Sequence, residues 1–320
     1  MALFLAERII NKMGNSASES KEISSKKKIP EFLFDIIRGF AIGIAFIIPG
    51  FSGGSVAAIL GIYEKLVGAI ADIFKSFKKS ILTLLPIGVG MVTGIISLLF
   101  PLGWALEKFP IPTVCLFVGL ALGGLPSITD KLSGKIKATN ILACFIPLAL
   151  AAALSFLPIG SDVNLFNLDF GGYLLLVVIG LIGSAALVVP GISGSMLLLI
   201  FGYYNPIVNM ITDHLFRFKD VGTSILVLGL TAFGIVLGFF VISMIMKWLL
   251  KNYPRGTYFA ILGFIVGSIP TVYISTAKEA NLTLSTLPAS SVYWIMCVVM
   301  LAFGAGLSLS LVIYSKRKNK

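Results

Sequence analysis

The sequence predicts an all-α polytopic membrane protein made of two inverted repeats. Each repeat is a re-entrant broken-helix hairpin followed by three transmembrane helices. Three observations carry this. The 320 residues are 57% hydrophobic and 12% charged with a mean hydropathy of +1.00, which suits lipid rather than a soluble core. A breaker motif interrupts the apolar sequence twice, as Pro49-Gly50-Phe51-Ser52-Gly53-Gly54-Ser55 and as Pro190-Gly191-Ile192-Ser193-Gly194-Ser195. Basic residues gather in alternate connections, as they do on the cytoplasmic side of a bilayer.

The repeat runs beyond the motif. At an offset of 141, Gly50 meets Gly191, Ser52 meets Ser193, Gly53 meets Gly194, Gly61 meets Gly202 and Tyr63 meets Tyr204. The offset then becomes 144, so that Gly90 and Gly94 meet Gly234 and Gly238, and Pro110 meets Pro254. Gly119, Gly123 and Pro126 likewise meet Gly263, Gly267 and Pro270. The chain therefore divides into a tail (1–30), a first repeat (31–158), an external connection (159–171), a second repeat (172–314) and a basic tail (315–320).

In order, Phe32–Ile48 leads to the first break, and Val56–Ile62 continues until Glu64 and Lys65. The stretch from break to charge covers only about 10–15 Å of helix, whereas a span needs about 20 apolar residues. The pair reads as a hairpin whose tip lies near the midplane. Ile81–Leu106, Ile111–Ile128 and Ala138–Leu157 then cross. In the second half Tyr173–Val189 reaches the second break and Met196–Tyr204 continues it. Asn205-Pro206 stands where Glu64-Lys65 stood, and Val221–Met246, Thr257–Ile274 and Val292–Tyr314 cross. With the N-terminus inside, Lys75–Lys79, Lys131–Lys137, Lys247–Arg255 and the C-terminal lysines all fall in the cytoplasm. Both termini are then cytoplasmic and the two hairpins enter from opposite faces. The same parity holds if each hairpin arm crosses fully.

Pro and Gly at membrane depth are tolerated where the backbone is buried in protein or lines a wet cavity. Broken helices at matching positions of two halves mark a transporter's binding site, and helix N-termini there favour an anion. The candidate anion site is Arg38, Gly50, Ser52, Gly53, Gly54, Ser55, Gly191, Ser193, Gly194 and Ser195. Arg38 lies in an apolar segment, where charge is rare. It is read as a phosphate or carboxylate anchor, with pairing to Asp35 as the bland alternative. Its counterpart is Ile179, so the halves differ chemically. Glu64, Lys65, Asn205 and Arg255 are candidates for coupling or gating; Glu64 is placed to carry a proton or sodium ion, or to pair with Lys65 or Arg38.

Several classes are excluded. The charge of +11 sits largely in the tails and connections, without the interleaved aromatics of a nucleic-acid face. Cys115, Cys144 and Cys297 have no metal or redox spacing, and no metal or cofactor is implied. Ser193 in a Gly-x-Ser-Gly setting lacks a base: the one histidine, His214, lies in a polar connection. No enzyme is expected.

The paired PGFSGGS and PGISGS motifs, Gly61-Ile62-Tyr63 with Gly202-Tyr203-Tyr204, and the glycine-rich segments ending at Pro126 and Pro270 resemble the bacterial PopT-type undecaprenyl-phosphate translocase family. The resemblance covers about residues 32–314. It implies a cytoplasmic-membrane flippase that returns undecaprenyl phosphate from the outer to the inner leaflet, for reuse in peptidoglycan and other envelope polymers. Read without that resemblance, the same site serves a secondary transporter of a small soluble anion.

Overall fold

The computed structural model of the chain describes residues 31–47, 52–154, 156–158, 160–215, 218–280, 282 and 290–318. The N-terminal tail, Pro49, Gly50 and the last two residues lie outside them. All regular structure among the described residues is helical. The first half holds α1 (Glu31–Ile47), α2 (Gly53–Ile59), α3 (Tyr63–Ala71), α4 (Phe77–Lys108), α5 (Pro110–Thr129) and α6 (Ala138–Leu154). The second holds α7 (Phe170–Val188), α8 (Gly194–Ile200), α9 (Tyr204–Asn209, running into a π-helical turn), α10 (Val221–Asn252), α11 (Pro254–Glu279) and α12 (Ser291–Lys318).

Among the described residues, five helical segments are long and apolar enough to cross a bilayer: Phe77–Leu98, Pro110–Leu132, Val221–Asn252, Pro254–Ala277 and Ser291–Tyr314. The chain is a polytopic membrane protein. The crossing expected over 138–157 is shorter than the sequence suggested, because α6 stops at Leu154 after 17 residues. That is about 25 Å of helix, at the low end of spanning length. Pro110 and Pro254 open α5 and α11, where a missing amide hydrogen takes nothing from the helix.

The helix pairs pack through glycine, and the packing recurs. A methyl group built on Gly90 of α4 would lie 2.0 Å from the Ile36 carbonyl oxygen of α1. On Gly234 of α10 it would lie 2.2 Å from the Val177 oxygen of α7. The two glycines differ by 144 and their partners by 141, the offsets of the sequence repeat. The remaining helices pair across the halves. Gly119 and Gly123 of α5 meet Leu301 and Ala305 of α12, while Gly263 and Gly267 of α11 meet Cys144 and Leu148 of α6. Here the partners differ by 157 throughout. Each half thus lends its sixth helix to the fifth helix of the other. Backbones this close gain dispersion contacts that lipid tails cannot supply.

A second corner follows each breaker motif. The apolar runs read as Val56–Ile62 and Met196–Tyr204 start earlier and are interrupted, because α2 and α8 each stop after seven residues, at Ile59 and at Ile200. Gly61 (φ +70°) and Gly202 (φ +74°) adopt the left-handed conformation at these corners, which an L side chain resists. In the second half, Gly194–Ile200 and the following helix meet at 107°. The segment after α6 folds onto this corner: the Gly160 amide donates to Leu199 O at 3.2 Å and the Val163 amide to Gly202 O at 3.0 Å. The main core lies where α2 and α3 meet α5, α11 and the end of α7, with Ala57, Val114 and Ile261 almost fully enclosed.

Candidate functional site

The first breaker motif and the helix after it reach the end of the helix that leads into the second motif. Ser52, the residue before α2, turns its hydroxyl toward the Val189 carbonyl at 3.5 Å, at the outer limit of a hydrogen bond. The Tyr63 hydroxyl, at the start of α3, donates to the Val188 carbonyl at 3.0 Å in a fully buried contact. Val188 ends α7 and Val189 is its C-cap, so their carbonyls lie beyond the last intrahelical amide and are left to other donors. Side chains from the first motif region thus approach carbonyls beside the second break.

On the second side, Gly191 has φ +84° and its backbone presses on α11: a methyl group there would lie 2.4 Å from the Phe264 carbonyl carbon. Only glycine satisfies both demands. Ser193 caps α8, accepting from the Met196 amide at 3.4 Å, and its hydroxyl lies 3.1 Å from that of Ser195. Gly194 opens α8.

On the first side, Gly53 and Gly54 open α2 and are buried, with the Gly53 Cα packed under Phe46. Ser55 is 1% exposed, and its hydroxyl finds no hydrogen-bond partner among the described residues. Ser127 of α5 closes the far end of α2, donating to Ile59 O at 2.6 Å.

The charged candidates have charged and polar partners of their own. Arg38 pairs with Asp35 at 3.3 Å and lies over the Phe34 ring at 4.4 Å. Lys65 reaches the other oxygen of Asp35 at 2.6 Å and Glu31 at 2.9 Å. The Asp35 carboxylate is 4% exposed and holds both cations, which joins α1 to α3. Glu64 takes different partners: the Tyr258 hydroxyl of α11 donates to it, and Lys131 lies 3.5 Å away. Arg255 donates to Gly134 O at 2.7 Å. Asn205 donates to Asp162 at 3.2 Å, pinning the connection that follows α6. So Glu64 and Arg255 tie one half to the other, Lys65 ties α3 to α1, and Asn205 holds the corner at Gly202 to the segment after α6.

Three participants were not singled out in the sequence. Tyr258 and Ser127 were unremarkable polar residues in apolar runs, where a hydroxyl's partner cannot be named from spacing. Asp72 bonds Lys247, 175 residues away, and joins the end of the first hairpin to α10. The Lys247 ammonium, by this hydrogen bond and by its charge, holds the Asp72 carboxyl below its ordinary value. Among the described residues no group of His, Cys, Asp or Glu is arranged to hold a metal ion.

Broken helices that approach one another inside a polytopic helical protein are the pattern of membrane transporters. The profile of the VCA0040-like, undecaprenyl phosphate translocase-like family matches residues 42–287, and the chain belongs to that family. A polyprenyl-phosphate transporter of Vibrio cholerae serotype O1 (strain ATCC 39315 / El Tor Inaba N16961) is 27% identical over 323 residues, covering 91% of this chain and 99% of the relative. A polyprenyl-phosphate transporter of Staphylococcus aureus (strain NCTC 8325 / PS 47) is 30% identical over 288 residues, covering 87% and 95%. Family and relatives are named for transport, not for a chemical reaction. No solved structure matches.

Proposed function

We propose that this chain carries a polyprenyl phosphate, undecaprenyl phosphate foremost, across the bacterial cytoplasmic membrane from the outer to the inner leaflet. The lipid carrier then re-enters peptidoglycan and other envelope synthesis. The observation that carries the reading is the approach of Ser52 and Tyr63, at and after the first break, to the Val188 and Val189 carbonyls just before the second. Full-length likeness to two polyprenyl-phosphate transporters supports the substrate class.

The two halves are inverted repeats with both termini in the cytoplasm, a reading supported by the basic connections and the recurring glycine contacts. The phosphate is held by the amides opening α2 and α8, those of Gly53, Gly54, Gly194 and Ser195, together with Gly50 and Gly191 and the hydroxyls of Ser52, Ser55, Ser193 and Ser195. Early helix amides have no partner within their own helix. Arg38 supplies charge on approach, and the isoprenoid tail stays in lipid. Glu64, Lys65, Asn205 and Arg255 gate the two faces, with a proton or sodium ion as the coupling partner.

Proteoliposomes test this. An impermeant phosphatase added outside reports how fast inner-leaflet polyprenyl phosphate becomes accessible. Wild-type protein is expected to expose the inner pool, and Ser55→Ala and Ser193→Ala to slow exposure by roughly tenfold each, the effect of one hydrogen bond to a charged group. Vesicles that release lipid no faster than protein-free ones, but take up inorganic phosphate, would make the chain a carrier of a small soluble anion.

A further inference from the structure

On α10, Phe240, Met244, Lys247, Trp248 and Lys251 fall on one face at helical spacing. With the segment Ala71–Lys75 they line a cleft of about 370 Å³ between the end of the first hairpin and α10. The cleft changes character along its length. Its inner end is apolar, where the Phe74 ring meets Phe240 edge-on at 4.9 Å. Its outer end carries Lys75, Lys247 and Lys251 against the single carboxylate of Asp72.

That carboxylate is engaged by Lys247, so two positive charges remain uncompensated. Lys75 and Lys251 are exposed, and so are Trp248 and Phe74, the latter at 80%. An 80% exposed phenyl ring beside lysines belongs at a lipid headgroup boundary, not in water. Helix α10 has 32 residues, about 48 Å, well beyond the roughly 30 Å hydrocarbon layer, so its last turns emerge among headgroups. Basic clefts between helices at that level hold anionic headgroups.

We propose that this cleft binds an anionic phospholipid of the surrounding bilayer. Its phosphodiester lies between Lys75 and Lys251, and an acyl chain runs along Phe240 and Met244. The lining offers lysine point charges without an arginine fork or a hydroxyl, which suits a singly charged diester better than a phosphomonoester that needs several donors. The lipid sits beside the Asp72–Lys247 bond and is expected to tighten it by shielding the lysines from one another. The site is independent of the transported substrate.

The chain has three tryptophans, and Trp248 alone lines the cleft. Full-length Trp104→Phe/Trp294→Phe protein in nanodiscs therefore reports on it through quenching by brominated acyl chains. Brominated phosphatidylglycerol is expected to quench Trp248 at a lower mole fraction than brominated phosphatidylcholine. Lys75→Gln/Lys251→Gln, which keeps the Asp72–Lys247 bond, is expected to erase that preference, with about a fivefold loss of relative affinity per lysine. Unchanged quenching by phosphatidylcholine in that variant checks its fold. Equal quenching by the two lipids in the parent protein overturns the proposal. So does relief of phosphatidylglycerol quenching by one equivalent of polyprenyl phosphate, which would hand the cleft to the transported lipid.

Discussion

The hydroxyl of Tyr63 donates to the carbonyl of Val188 across 125 residues of sequence, inside the protein and out of reach of water. It fastens the first hairpin to the helix that ends at the second break. Tyr63→Phe keeps the ring and leaves the carbonyl with one partner fewer. A loss of about 1 kcal/mol is expected, as for hydrogen bonds within membrane proteins. Lowered thermal stability of the purified protein in detergent measures it, and an unchanged midpoint would make the contact incidental.

The glycine contacts allow a paired test on one helix. Gly90 of α4 faces the Ile36 oxygen, whereas Gly88 and Gly103 of the same helix have open space where a methyl group would go. Gly90→Ala is expected to destabilise by about 1–3 kcal/mol, because two backbones must part. Gly88→Ala and Gly103→Ala are expected to be neutral or stabilising by up to about 1 kcal/mol, since alanine is the better helix former. Thermal unfolding of the three variants reads both signs.

The same glycines show what the sequence could and could not disclose. Spacing of four within apolar runs announced close helix packing, and the offsets of 141 and 144 announced two related halves. Neither could announce that α5 packs on α12 and α6 on α11, because exchange between halves leaves no local pattern. The corners at Gly61 and Gly202 were visible as a matched glycine pair, but a lone glycine in an apolar run also suits an unbroken helix. At the candidate site, the motif alone singles out the serines. The Arg38–Asp35 pair, three residues apart on one helix, was legible as the alternative reading of Arg38. The partners of Lys65 and Glu64 depended on distant packing, so Lys65 on Asp35 and Tyr258 on Glu64 emerged only in three dimensions.

The Asp72–Lys247 bond makes a pH prediction. Lys247 lowers the Asp72 pKa below its ordinary value of 3.8. A depressed carboxyl stabilises the folded state above the unfolded value, and that stabilisation is lost as pH falls through the lower native value. The link between the first hairpin and α10 is therefore expected to hold throughout the neutral range and to weaken only below about pH 4. Thermal midpoints of wild type and Asp72→Asn should differ at pH 7 and converge as the acid limit is approached. A difference that grew toward low pH would contradict the assignment.

Arg38 offers the sharpest separation of binding from architecture. Its partner Asp35 is nearly enclosed and is shared with Lys65, so Arg38→Ala leaves a buried carboxylate with one cation instead of two. A loss of about 2 kcal/mol is expected, the scale of a hydrogen bond to a charged group; it falls short of breaking a whole buried pair because Lys65 remains. Asp35→Asn in the same chain removes the stranded charge and is expected to restore most of that stability. If Arg38 guides a phosphate, the double variant recovers its thermal midpoint while lipid transport in proteoliposomes stays low. If Arg38 only neutralises Asp35, the double variant recovers both, and the guanidinium leaves the binding site.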